Sequence, residues 1–235
     1  MSTLKKSLNL IIDIFIVFAV SAITFVLEDF ANTRGWITVG PEARGISSVL
    51  GGALAAVCVV LARGGSLADL GFRQPERWAW VPFQVTGILV VFVAAQKFAP
   101  LLVSSFISVP VPDLCRYDSI TGNLGNAIAL ALVLPLTAAI PEEIIYRGFL
   151  MGRLSEIFGQ GRGGVIATVL VQALAFGSVH FMWGIGGMIV TVIMGIVWGS
   201  AYLLCGRNLW IVIMAHSAGH ILFAIQLYLG ISIII

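Results

Sequence analysis

Residues 124–147 read LGNAIALALVLPLTAAIPEEIIYR, an apolar run that ends in two adjacent carboxylates and, four residues after the second, an arginine. Only 10% of the 235 residues are charged, so two acids directly after a membrane-length stretch stand out. Charge at a bilayer span is costly unless it is paired, hydrated or used. On a helix Glu143 and Arg147 are four residues apart with the acid first, the order in which such residues pair. Glu142 is turned by about 100° from Glu143 at 3.6 residues per turn, which leaves it outside that pair. One carboxylate is tied and one is available.

The remainder of the chain reads as a scaffold around this stretch. It is 59% hydrophobic with a mean hydropathy of +1.04, whereas a soluble domain carries about 25% charged residues. The apolar runs are continuous, not alternating, which argues for helices and against a β-barrel. The fold class expected is all-α, a polytopic membrane helix bundle of seven spans. These are Leu8–Leu27 with Asp13 inside, Ile46–Ala62, Trp78–Phe98, Leu124–Ile140, Val165–Trp183, Ile185–Leu204, and a seventh from Leu209. Ile221–Ile235 is either the end of the seventh or a partial eighth. Gly51, Gly52, Ala53, Ala55 and Ala56 in the second span favour close helix contact. The N-terminal run has no small-residue cleavage site before a soluble domain and reads as a retained span, not a signal peptide. Residues 1–123 then hold the first three helices and their loops, and residues 124–235 a C-terminal core.

Loop charges orient this arrangement. With the N-terminus cytoplasmic, Lys5, Lys6, Arg63, Arg73, Arg77, Arg147, Arg153, Arg162 and Arg207 fall inside, against Arg34, Arg44 and Arg116 outside and Lys97 near the boundary. That asymmetry is the positive-inside pattern of a multi-pass protein of the plasma membrane. Leu70–Pro75 reads as a cytoplasmic turn with an exposed apolar pair, Leu70 and Phe72. Val103–Asn123 reads as an outer loop with Pro110 and Pro112. No basic cluster with interleaved aromatics is present, so nucleic acid is not an expected partner. Cys58, Cys115 and Cys205 form no metal-ligand spacing, and no internal repeat supports an inverted-repeat transporter.

The three histidines of the chain, His180, His216 and His220, all lie in predicted spans of the C-terminal half. His216 and His220 are four apart and share one helix face. Buried ionisable groups in a bundle usually mark a site or pathway; the plainer alternative is that each imidazole is an interhelical hydrogen-bond partner. There is no His-Glu-x-x-His zinc motif and no Gly-x-Ser-x-Gly elbow. What remains is Glu142 with imidazoles, acting on water.

Three short motifs in order make the chain resemble the CAAX protease and bacteriocin-processing family of intramembrane endopeptidases. Glu-Glu-x-x-x-Arg matches Glu142, Glu143 and Arg147; Phe-x-x-x-His matches Phe176 and His180; His-x-x-x-Asn, with a variable last residue, matches His216 with His220 in the final place. The resemblance covers about Leu124–Phe223. It implies that Glu142 activates the attacking water, that His180 positions it, and that His216 and His220 stabilise the oxyanion, with Glu143, Arg147 and Phe176 as structural support. The implied substrate is a peptide or membrane protein in the bilayer, of the prenylated CAAX type or otherwise lipidated. His220 stands where Asn is frequent, and an imidazole can donate to an oxyanion or ligate a metal. A divalent metal such as zinc, held by Glu142, His180, His216 and His220, is therefore an alternative to a metal-free glutamate mechanism. The catalytic opening is expected on the cytoplasmic side. From other classes, a non-catalytic immunity or scaffolding protein would use the same cavity to bind a peptide or membrane partner, and an ion carrier would use the histidines.

Overall fold

The computed structural model describes residues 3–39, 45–109 and 115–231. Arg44, Pro110, Pro112 and the tail beyond Ile231 lie outside the described residues, as do the side chains of Cys115 and Arg116. Among the described residues the chain is helical throughout, with no strand. Seven long helical stretches follow one another: α1 Thr3–Thr33, α2 Ile46–Ala62, α3 Val81–Ser104, α4 Leu124–Phe158, α5 Arg162–Ser178, α6 Gly184–Leu204 and α7 Leu209–Leu229.

Five of these, all but α2 and α5, are long and apolar enough to cross a membrane. The exceptions have 17 residues each, about 25 Å at 1.5 Å per residue, short of a hydrocarbon core about 30 Å thick. Polarity runs the reverse of a soluble protein. Phe15, Phe83, Phe98 and Leu101 are exposed, while Asp13, Glu143, Arg147, Gln172 and Gln226 are buried inside the bundle. The protein is a helical membrane protein.

The expected fourth span is where sequence and structure differ most. The helix does not stop at Ile140 but runs on through Glu142 and Glu143 to Phe158. The carboxylates therefore sit in mid-helix, and Pro141 does not break the helix. A helical proline removes one backbone donor and crowds the preceding turn. Here Pro135–Ala139 and Ile144–Leu150, on either side of Ile140–Glu143, widen into π-helical turns that absorb this. Such turns are frequent at functional sites.

Small residues let the helices close on one another. A Cβ at Gly52 would collide with Ser21 and lie 3.0 Å from Ile145, so α2 is wedged between α1 and α4. Along α6, a Cβ at Gly195 would lie 2.8 Å from the Ala173 backbone and one at Gly199 2.5 Å from the Gln172 amide, which locks α6 to α5. Glu28 near the end of α1 caps α2 by accepting from the Gly45 and Ser47 amides at 3.0 and 3.3 Å, where four backbone donors otherwise go unmet.

Basic residues gather at one end of the bundle. Buried Asp13 pairs with Arg63 at 2.6 Å and Arg153 at 3.4 Å, and Lys6 meets Glu156 at 3.1 Å. Arg207 donates to Ser155 and Gln160 at the same end. The Ser66–Pro75 loop closes it. Ser66 donates from its backbone and its hydroxyl to Asp69 at 2.7 and 3.1 Å, and these bonds hold the Asp69 carboxyl below the usual aspartate range. The pair expected to be exposed is instead docked. Leu70 is 1% exposed, and Phe72 packs edge-on against Trp210 at 5.0 Å. Two hydrogen bonds draw the loop in, from Leu209 N–H to the Gly71 carbonyl at 2.8 Å and from the Asn208 side-chain amide to the Arg73 carbonyl at 2.9 Å.

A Cβ at Gly148 would lie 2.7 Å from the Leu70 carbonyl. Gly148→Val is thus expected to push the loop off α4 and to destabilise the protein by about 1–3 kcal/mol, as overpacking does. Thermal unfolding in detergent reads this, and an unchanged midpoint would contradict the docking.

Candidate active site

Glu143 is fully buried, and its Oε1 accepts from two groups: Arg147 Nη1 at 3.0 Å, one turn along α4, and His216 Nδ1 at 2.8 Å, from α7. The pair with Arg147 follows from the four-residue spacing. The bond to His216 does not, and it means that a histidine reaches the tied carboxylate rather than the free one. Arg147 is also fully buried. Its guanidinium lies 4.7 Å over the Phe176 ring and 5.9 Å from that of Tyr146, so aromatic faces shield the charge.

Phe176 connects this pair to the second motif. Its ring faces Arg147, and its carbonyl accepts from His180 Nδ1 at 2.7 Å. A carbonyl can only accept, so that nitrogen carries the proton and Nε2 of the neutral ring is left as an acceptor. His180 was expected inside the fifth span; α5 ends at Ser178, and His180 occupies the turn before α6. Trp183 packs against it with ring centroids 4.6 Å apart.

His216 and His220 stack with centroids 4.9 Å apart and planes 20° apart, as residues one turn apart on α7 can. Among the described residues, His220 Nε2 is buried with no hydrogen-bond partner, as are Glu143 Oε2 and Arg147 Nη2. Trp198 of α6, which no motif singled out, also stacks on His216 with centroids 4.7 Å apart. The available signal was its position, a tryptophan well inside a span when most sit at the interface. Glu142 is part-exposed and makes no hydrogen bond or ion pair among the described residues.

A metal centre needs several ligands converging on one point. Among the described residues no three His, Cys, Asp or Glu side chains come together in that way. His180 and His216 hold Nδ1 on the Phe176 carbonyl and on Glu143, which leaves Nε2 as the remaining ring nitrogen of each. Glu142, His180, His216 and His220 form no such cluster among the described residues.

Residues 124–222 match the family described as type II CAAX prenyl endopeptidase Rce1-like. That stretch of the chain is similar to the family's domain. No curated protein and no solved structure matches the chain. The Rce1-like domain begins at the first residue of α4 and takes in all four histidine and glutamate candidates. The family is one of proteases.

Proposed function

We propose that this protein is an integral-membrane endopeptidase that hydrolyses a peptide bond in membrane-associated substrates of the CAAX type, with residues 124–235 as the protease core. The observation that carries the proposal is the division of labour between adjacent carboxylates. Glu143 is tied through Oε1 to Arg147 and His216, while Glu142 is unpaired among the described residues and part-exposed. An unpaired carboxylate is able to act as general base toward water, a role that contributes about 10²–10⁴-fold in rate.

In this reading Glu142 takes a proton from water as the oxygen attacks the scissile carbonyl. His180, with Nδ1 held by Phe176, presents Nε2 to orient that water. His216 and His220 face the developing oxyanion, where donors contribute about 3–4 kcal/mol each. A donating His216 carries protons on both nitrogens, and Glu143 at 2.8 Å balances that charge. Collapse of the tetrahedral intermediate returns the proton from Glu142 to the leaving amine. No step is routed through a metal. The N-terminus and the basic end of the bundle are assigned to the cytoplasm on the positive-inside pattern, and all seven helices are assigned to the membrane, α2 and α5 with local thinning or shielding by neighbours.

The test is hydrolysis by the purified protein in lipid vesicles, using farnesylated and unmodified tail peptides in water enriched in oxygen-18. The expected result is a shortened peptide whose new terminal carboxyl group carries one heavy oxygen. Cleavage without incorporation from water, or no cleavage of either peptide, overturns the proposal.

A further inference from the structure

The bond from Nδ1 to Glu143 holds the His216 ring by a single contact. A turn about Cα–Cβ or Cβ–Cγ would break it and swing Nε2 through an arc. Two flat rings stacked on His216 resist that turn. His220 lies against it with centroids at 4.9 Å and planes 20° apart, and Trp198 at 4.7 Å and 22°.

Trp198 is itself held from three directions. It is 1% exposed, and Phe92 of α3 backs its indole at 5.0 Å. Its neighbour Gly199 has no room for a Cβ beside Gln172, and Gly195, one turn earlier, abuts the Ala173 backbone. α6 is therefore seated on α5 by backbone contact, and a shift of the indole would require both helices to part. The column Phe92–Trp198–His216–His220 crosses from α3 through α6 to α7 and ends in the candidate site.

A side chain needed only to fill this space could be any large apolar residue. Near-parallel stacking against an imidazole calls instead for a flat ring, since aromatic pairs prefer offset stacking or edge contact and gain energy from it. We infer that Trp198 is a positioning residue for hydrolysis: its indole face sets the plane of His216 and so the direction of Nε2, while Glu143 sets the opposite nitrogen. This rests on the endopeptidase reading, in which His216 faces the reacting carbonyl. Positioning errors of about 1 Å cost on the order of 10²-fold in rate, and loss of one stacking face is a milder fault.

The experiment compares Trp198→Phe with Trp198→Met. Both are apolar and smaller than tryptophan, but only phenylalanine keeps a flat face. With full-length protein in vesicles, Trp198→Met is expected to lower kcat by about 30-fold with KM unchanged, and Trp198→Phe by about threefold or less, a fraction of the misplacement cost above. The second readout is independent of activity. In protein labelled at histidine, the His216 ring protons lie over the indole, and their NMR shifts should move most in Trp198→Met. Equal kcat values for the two variants, or His216 shifts that ignore both, overturn the inference. An inactive wild-type protein overturns the endopeptidase reading instead, and the NMR comparison still decides whether Trp198 holds the ring.

Discussion

Glu143→Ala is expected to destabilise the protein by about 3–5 kcal/mol, the cost of leaving one partner of a buried ion pair without the other. Arg147 is fully buried, and Glu143 Oε1 is its one hydrogen-bond acceptor among the described residues. Without it the guanidinium has only the faces of Phe176 and Tyr146, which shield a positive charge without neutralising it. His216 loses its Nδ1 acceptor in the same step. Glu142→Ala removes an equal charge one residue away, but from a part-exposed and unpaired group, and should shift stability by no more than about 0.5 kcal/mol. The pair of variants is read by thermal unfolding in detergent. If both melt together, the two carboxylates do not divide the work as the geometry indicates. Removing both charges with Glu143→Leu and Arg147→Met should recover much of the loss, because an apolar pair leaves no stranded charge.

Glu142→Gln should have the opposite signature, with a fold indistinguishable from wild type and kcat lower by about 10²–10⁴-fold. Glutamine keeps the shape of the side chain but has no lone pair basic enough to take a proton from water at neutral pH. The comparison is made with the vesicle cleavage assay on protein whose unfolding midpoint is unchanged. Retention of more than a tenth of the wild-type rate would remove Glu142 from the role of base. The same result would shift attention to Glu143, whose Oε2 has no partner.

These two outcomes separate what one motif joins. Glu142 and Glu143 are the same residue type, adjacent in sequence, and only the angle between them on a helix distinguishes their fates. That angle was legible in the sequence. So were the membrane class, the pairing of Glu143 with Arg147, and the helix boundaries of the second and sixth helices, because each depends on composition or on contacts within one helix. The seating of His216 on Glu143 was not legible, because it joins residues 73 positions apart and depends on how α7 crosses α4. Trp198 escaped notice for the same reason: its contacts lie on α3 and α7, and none is local.

Local reasoning also set the wrong end for the fourth helix. A proline followed by two acids resembles a terminus when judged by donor loss and charge alone. In the folded protein π-helical turns absorb the proline, and Arg147 and His216 take up the charge of Glu143, so the helix continues. The Leu70–Phe72 pair looked exposed because a loop of mixed polarity carries no signal of what it will meet. Its burial comes from Gly148 and Leu209, on helices distant in sequence.

The sequence by itself determined that this is a helical membrane protein with two unlike carboxylates in one motif, since hydrophobicity and helical angle are properties of neighbouring residues. Only the tertiary structure decided which partners those carboxylates and histidines have, because an imidazole's hydrogen bond and the plane of its ring are set by side chains from other helices.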